Sequence, residues 1–153
     1  MGPPDGGLTQ ALGGRMSEPD PASLMRLITN EIWCNRRYEL VDELISEDFI
    51  DHVEAQGLEG TGRARYLASA RIVHDAFSDY HEEAEFIVAD RDKAVSYARV
   101  TGTHDGDLMG LPPTGRKIDV HTIGILRFLD GQVVERWGIG DTLTQMQQLG
   151  VFG

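Results

Sequence analysis

The hydrophobic period of this chain changes once, near Tyr80. Before that point apolar residues recur every three or four positions, as in helices that bury one face. After it they alternate, as in half-buried strands. A first half of helices and a second half of strands favours an α+β fold in which helices cover one face of an antiparallel sheet. A helix opens at Asp20-Pro21, a capping carboxylate followed by proline in the first turn, and Leu24, Leu27, Ile28 and Ile32 carry its stripe to about residue 36. A short second helix puts Leu40, Val41, Leu44 and Ile45 on one face, and an extended piece follows over residues 48–53. Thr61 caps a third helix with Tyr66, Leu67, Ala70, Val73 and Phe77 inward. Strands are expected over about 80–89, 94–104, 117–128 and 132–139, with turns at 90–92 and at Asp130-Gly131, and a closing helix over 141–149.

The 153 residues suit one domain, which we place at 17–153. Residues 1–16 are rich in glycine and proline and aperiodic, and read as a flexible tail or expression remnant. No apolar run approaches the ~20 residues of a membrane span, and the start lacks the basic and apolar regions of a secretory leader. The expectation is a cytoplasmic protein with no membrane partner. The net charge of -11 would repel phosphate backbones, so nucleic acid is not an expected partner. Cys34 stands alone, so no internal disulfide forms; a small buried hydrophobe is the plain reading. The histidines lack the spacing of a metal site, and the glycine loop lacks the lysine and the following helix of a phosphate cradle.

Four segments in order carry a family resemblance: G-T-H-D-G at 102–106, G-L-P-P-T-G at 110–115, D-G-x-V-x-E-x-W-x-x-x-D from Asp130 to Asp141, and Q-L-G at 148–150. With them the chain, from about Ala22 to Gly150, resembles the SnoaL-like polyketide cyclases, a branch of the NTF2-like superfamily. The resemblance implies a strongly curved antiparallel sheet and about three helices forming a cone around a pocket. It implies a cofactor-free intramolecular aldol condensation on a small, apolar, carbonyl-rich substrate, with Asp141 as acid/base. It also implies a pocket histidine; His121 and His104 both remain open for that part.

The residues themselves support and compete with those roles. An aldol closure needs a base for a proton alpha to a carbonyl and a donor for the resulting alkoxide, and one carboxyl group with a raised pKa can do both. Burial of Asp141 beside Trp137 would raise it; alternatively Asp141 simply caps the helix after it. His121 is the favoured partner, as a donor to an enolate or ketone. It shares a face with Asp141 only if the last hairpin turns through three residues, which we expect, with Ile123, Ile125, Arg127, Glu135 and Trp137 on that face. His104, His52, Trp33, Trp137 and Arg127 are the candidate substrate-binding residues. Their plain readings are loop anchor for His104, connecting-strand residue for His52, core for the tryptophans and an ion pair with Glu135 for Arg127. His74 and His81 are read as surface residues. Val120, Thr122, Leu126 and Phe128 would then form an outward surface for a homodimer. Rival functions are another reaction on the same scaffold, such as isomerisation or epoxide hydrolysis with Asp141, Glu135 and Arg127, and a non-catalytic ligand-binding or dimerisation module.

Overall fold

The computed structural model describes residues 19–152 apart from residue 56; the expected tail over residues 1–16 lies outside them. Helix α1 (Pro21–Ile28) begins at the predicted cap, with the Asp20 carboxylate accepting the Ser23 N–H at 3.0 Å and proline in the first turn. The chain then widens into a π-helical turn, Thr29–Cys34, rather than continuing as α-helix to residue 36. The Asn35 N–H closes that turn on the Asn30 carbonyl at 2.9 Å. The Trp33 carbonyl receives the Nε2–H of His74 at 2.7 Å, so the His74 Nδ1 accepts from the Tyr38 hydroxyl at 2.5 Å. His74 is therefore buried and not a surface residue, and burial lowers its pKa. A 3-10 turn (Tyr38–Leu40) and the short helix α2 (Val41–Leu44) lead directly into β1 (Ile45–Asp51).

Helix α3 (Gly62–Ala76) precedes the strands β2 (His81–Asp90), β3 (Lys93–Thr103), β4 (Lys117–Leu129) and β5 (Gln132–Gly140), and the last helix, α4 (Thr142–Gln148), follows them. The five strands form one curved, unclosed sheet in the order β1-β5-β4-β3-β2. The four later strands pair antiparallel as expected, whereas β1 adds to the β5 edge in parallel, because the chain reaches that edge from α2 and leaves it for α3.

The β4–β5 turn differs from expectation. Asp130 (φ 52°) and Gly131 (φ 76°) form a two-residue turn that pairs Leu129 with Gln132. A bulge follows at once: Phe128 pairs with Val133 but Arg127 pairs with Glu135. The extra residue undoes the effect of the shorter turn. His121, Ile123, Ile125, Arg127, Glu135 and Trp137 still share a face, and it is the outer face, away from the helices. The alternating set, Ile118, Val120, Leu126 and Phe128, is buried beneath them. Val120, Leu126 and Phe128 thus belong to the core, and Thr122 and Val120 line a cavity, so this set is not a dimer surface.

The G-T-H-D-G segment is a clasp for the end of α3. A β-carbon on Gly102 would stand 3.1 Å from that of Phe77. Thr103 donates through N–H and hydroxyl to Asp79, and Asp105 accepts both from Ser78. The N–H groups of Asp105 and Gly106 cap the Ala76 carbonyl. A β-carbon on Gly106 would lie 1.8 Å from the Asp75 carbonyl oxygen, backbone against backbone. Gly106→Ala is expected to destabilise the fold by at least about 3 kcal/mol in urea unfolding, because neither chain segment can yield without losing those caps.

Candidate functional site

Helices and sheet border a cavity of about 370 Å³ that opens to solvent on one side. Its walls come from both halves of the core. Met25 and Ile28 of α1, Ile72 and Val73 of α3, and Val100 and Val120 of the sheet give it an apolar character. The 102–117 segment contributes Leu108 and Met109, and α4 contributes Gln145. Among the described residues that line it, the ionisable ones are Tyr66, Tyr80, Glu82 and Arg136.

These four are held by well-defined contacts. Trp33, carried on the π-turn, donates its indole N–H to the Tyr66 hydroxyl at 2.8 Å and packs edge-on to that ring. Because the Tyr66 oxygen accepts from Trp33, its own proton is left to donate elsewhere. Burial pushes the Tyr66 pKa up to about 12, partly opposed by the nearby Arg136 charge, so the phenol stays protonated. The Tyr80 hydroxyl donates to Glu82 Oε2 at 2.8 Å. Desolvation raises the Glu82 carboxyl above its ordinary range and holds the Tyr80 phenol well above its own. The Cys34 thiol donates to the Glu82 carbonyl at 3.2 Å, which ties the start of β2 to the π-turn, and burial raises that thiol's pKa.

Arg136 enters from β5 as a braced cation. Its Nε and Nη2 bind the two oxygens of Asp51 at 3.0 and 2.5 Å, and Nη2 also reaches Ser69 Oγ at 3.3 Å. Arg65 meets the same Asp51 carboxylate at 3.3 Å. The Arg136 guanidinium lies 4.9 Å from the Tyr66 ring centre and 5.7 Å from that of Phe49. Among the described residues its Nη1 has no hydrogen-bond partner.

The residues expected from sequence are placed differently. Asp141 caps α4, accepting the Thr144 N–H at 3.1 Å and the Thr144 hydroxyl at 2.7 Å. It is exposed, and those bonds lower its pKa, so the expected elevation by burial beside Trp137 does not occur. Its neighbour Gly140 lines the cavity, and the Asp141 N–H donates to the His121 carbonyl at 3.2 Å. His121 points to the outer face, stacks on Tyr97 and pairs with Glu85 at 2.8 Å. His52 is also on that face, between Glu135 at 2.6 Å and the Trp137 ring, on which it stacks. Trp137 touches the cavity, yet alternation along β5 sends its ring to the side opposite Arg136. Arg127 pairs with Glu135 at 2.9 Å on the outer face, which separates both from the cavity and leaves no Asp141–Glu135–Arg127 constellation for epoxide opening. His104 is fully buried but does not line the cavity. Its Nδ1 accepts the Thr114 N–H, so it anchors the G-L-P-P-T-G loop. Of the expected set, Trp33 is the residue that contributes its polar atom to the cavity's hydrogen-bond network.

Sequence reasoning missed Tyr66, Tyr80, Glu82, Arg136 and Ser96. Strand period did not single out Glu82 or Arg136: a bulge after Ala84 in β2 and another beside Arg127 shift the alternation, and along β5 the apolar Val133, Trp137 and Ile139 fall in the set opposite Arg136. Among the described residues no group of three histidine, cysteine or acidic side chains could hold a metal ion, and no helix is long and apolar enough to cross a membrane.

The comparisons with known proteins agree with this architecture. The family model of the SnoaL-like polyketide cyclases matches residues 23–149. The chain is similar to the nogalonic acid methyl ester cyclase of Streptomyces nogalater, 27% identical over 115 residues, covering 74% of this chain and 86% of that one. Among solved structures it is similar to IdmH of Streptomyces antibioticus, a candidate polyketide cyclase (29% identity, TM-score 0.72, 85% of this chain and 98% of that one). It is also similar to AclR of Streptomyces galilaeus, a candidate hydroxylase (27% identity, TM-score 0.72, 86% and 98%). With the family model spanning both the helices and the whole sheet, this chain belongs to the SnoaL-like polyketide cyclase family.

Proposed function

We propose that this protein closes a ring by cofactor-free, intramolecular aldol-type addition on a small, largely apolar, carbonyl-rich molecule bound in the cavity. The observation that supports this reading is the placement of Glu82, the one carboxyl among the described residues lining a mostly apolar cavity. The addition is proton-neutral. A carboxylate takes a proton alpha to one carbonyl, the carbanion attacks a second carbonyl carbon, and the new alkoxide takes the proton back. Glu82 performs both transfers, and its desolvation makes it a stronger base than a glutamate in water. Tyr66 O–H and Arg136 Nη1 are the donors for the oxygen on which charge develops.

Asp141, to which the family resemblance points, is the second reading, favoured by its position next to cavity-lining Gly140. To act, it must give up its bonds to Thr144, and their loss raises its pKa toward the ordinary range. The test uses nogalonic acid methyl ester, the compound named for the Streptomyces nogalater relative, with wild type, Glu82→Gln and Asp141→Asn. Conversion by wild type, loss in Glu82→Gln and retention within about tenfold in Asp141→Asn is the expected result. The reverse order transfers the role to Asp141. Binding by all three with turnover by none favours a binding module.

We also propose a homodimer through the outer sheet face. That face exposes Phe86, Val88, Ile123 and Ile139, the last 79% exposed. Three of its acids are internally paired, Asp119 with Arg99, Glu85 with His121 and Glu135 with Arg127, which lowers the repulsion between two copies of a strongly acidic chain there. Ile139→Lys is expected to shift the sedimentation coefficient from dimer to monomer; a wild type that already sediments as a monomer removes the proposal.

A further inference from the structure

The π-turn leaves one carbonyl without a main-chain partner. In an α-helix the Trp33 carbonyl would accept the N–H four residues further on. That N–H, of Arg37, donates to the Glu31 carbonyl at 2.8 Å, and the next, of Tyr38, to the Arg36 carbonyl at 2.9 Å. The Trp33 carbonyl takes the His74 Nε2–H at 2.7 Å instead. Trp33 is thus held at both ends by α3, its backbone by His74 and its indole by Tyr66. The next residue, Cys34, binds the Glu82 carbonyl, so two consecutive residues of one turn brace Tyr66 and the start of β2. Turns of this kind recur at functional sites.

The indole N–H is a donor and nothing else. A phenol hydroxyl lies close to the plane of its ring, so its proton has two orientations, one on either side of the C–O bond. With Trp33 Nε1 2.8 Å from the Tyr66 oxygen, a phenol proton on that side would face the indole proton. It is confined to the other side. The Tyr66 ring is buried and edge-on to the indole, with ring centres 5.9 Å apart, which fixes the pair. A donor whose direction is set before the ligand arrives needs no reorganisation when charge develops on a ligand oxygen.

We propose that Trp33 is a positioning residue: its indole N–H sets the direction in which the Tyr66 hydroxyl donates, and the π-turn, locked by His74, holds the indole in place. The inference rests on the reading of Tyr66 as a donor to the substrate oxygen, but not on which carboxyl is the base.

The test removes the indole N–H and keeps the fused ring, by exchanging Trp33 for the sulfur isostere benzothienylalanine. The isostere fills the same space, so the packing against Tyr66 is retained. The first readout needs no substrate. With 3,5-difluorotyrosine in place of Tyr66, the phenol ionises in a pH range the fold withstands and is followed by absorbance. Because the indole N–H stabilises the phenolate, its removal is expected to raise that phenol's pKa. An unchanged pKa overturns the proposal. The second readout is turnover of nogalonic acid methyl ester by wild type, the exchange at Trp33, Tyr66→Phe and the two together. The exchange alone is expected to lower kcat by about 3- to 30-fold with KM changed by less than about twofold, and to cost nothing further in Tyr66→Phe. Equal losses in both backgrounds, or a rise in KM alone, assign Trp33 a merely structural role and overturn the proposal. So does full turnover by Tyr66→Phe. Where the ring-closing reading itself fails and wild type does not convert the ester, the titration alone decides for or against Trp33, so the two failures are told apart.

Discussion

Glu82→Gln is expected to lower ring-closing turnover by about 100- to 10,000-fold, the usual contribution of a positioned acid/base, with substrate binding changed by less than about threefold. Glutamine keeps the size of the side chain and still accepts from the Tyr80 hydroxyl, so the wall of the cavity stays in place. What disappears is the group that exchanges a proton with the substrate. The pH dependence gives an independent reading. The Glu82 pKa lies above the ordinary glutamate value because of desolvation. If the ionised form starts the reaction, kcat/KM rises with pH through that elevated pKa and levels above it. The limb should vanish in Glu82→Gln. A limb that persists there, at a pKa below the ordinary aspartate value, would belong to Asp141, whose bonds to Thr144 lower its pKa. The two carboxyls thus predict profiles displaced in opposite directions.

The second large effect is structural. Asp51→Ala is expected to destabilise the protein by about 3–5 kcal/mol, read from urea unfolding. The Asp51 side chain has no solvent exposure and receives Arg136 through two bonds and Arg65 through a third. Removing it leaves two guanidinium groups, both largely buried, without their counter-charge, and an unpaired buried charge costs far more than an exposed pair contributes. Arg136 also loses the bonds that aim it at the cavity. Ligand binding should therefore fall in Asp51→Ala even at temperatures where the fold survives. Asp51→Asn retains an acceptor and should lie between the two in stability. If Asp51→Ala unfolds at the wild-type urea midpoint, the Asp51–Arg136–Arg65 cluster is not a support of the cavity wall.

Much of the architecture was legible from local pattern. The Asp20 cap, the third helix, the four later strands and both hairpin turns stand within a residue or two of their expected places, because each follows from periodicity and turn chemistry over a short window. The π-turn at residues 29–34 was not legible, since its apolar spacing is that of an ordinary helix and its geometry is tied to the contact between the Trp33 carbonyl and His74 on α3, 41 residues away in sequence. The parallel edge strand β1 was likewise hidden: its pairing with β5 spans the whole domain.

The site was less legible than the fold. Alternation sorts strand residues into two sets but does not say which set the helices cover. His121, Arg127 and Trp137 were grouped together on one face, and the helices cover the other. A turn one residue shorter than expected would have reversed that grouping, had the bulge beside Arg127 not added the residue back. By itself the sequence determined the order of the elements, the α+β class and the family segments, because local spacing encodes them. The tertiary structure alone decided that Asp141 caps a helix in water while Glu82 faces an apolar cavity. Proton affinity depends on what surrounds a carboxyl in three dimensions, and neither its neighbours in sequence nor its period along a strand specify that.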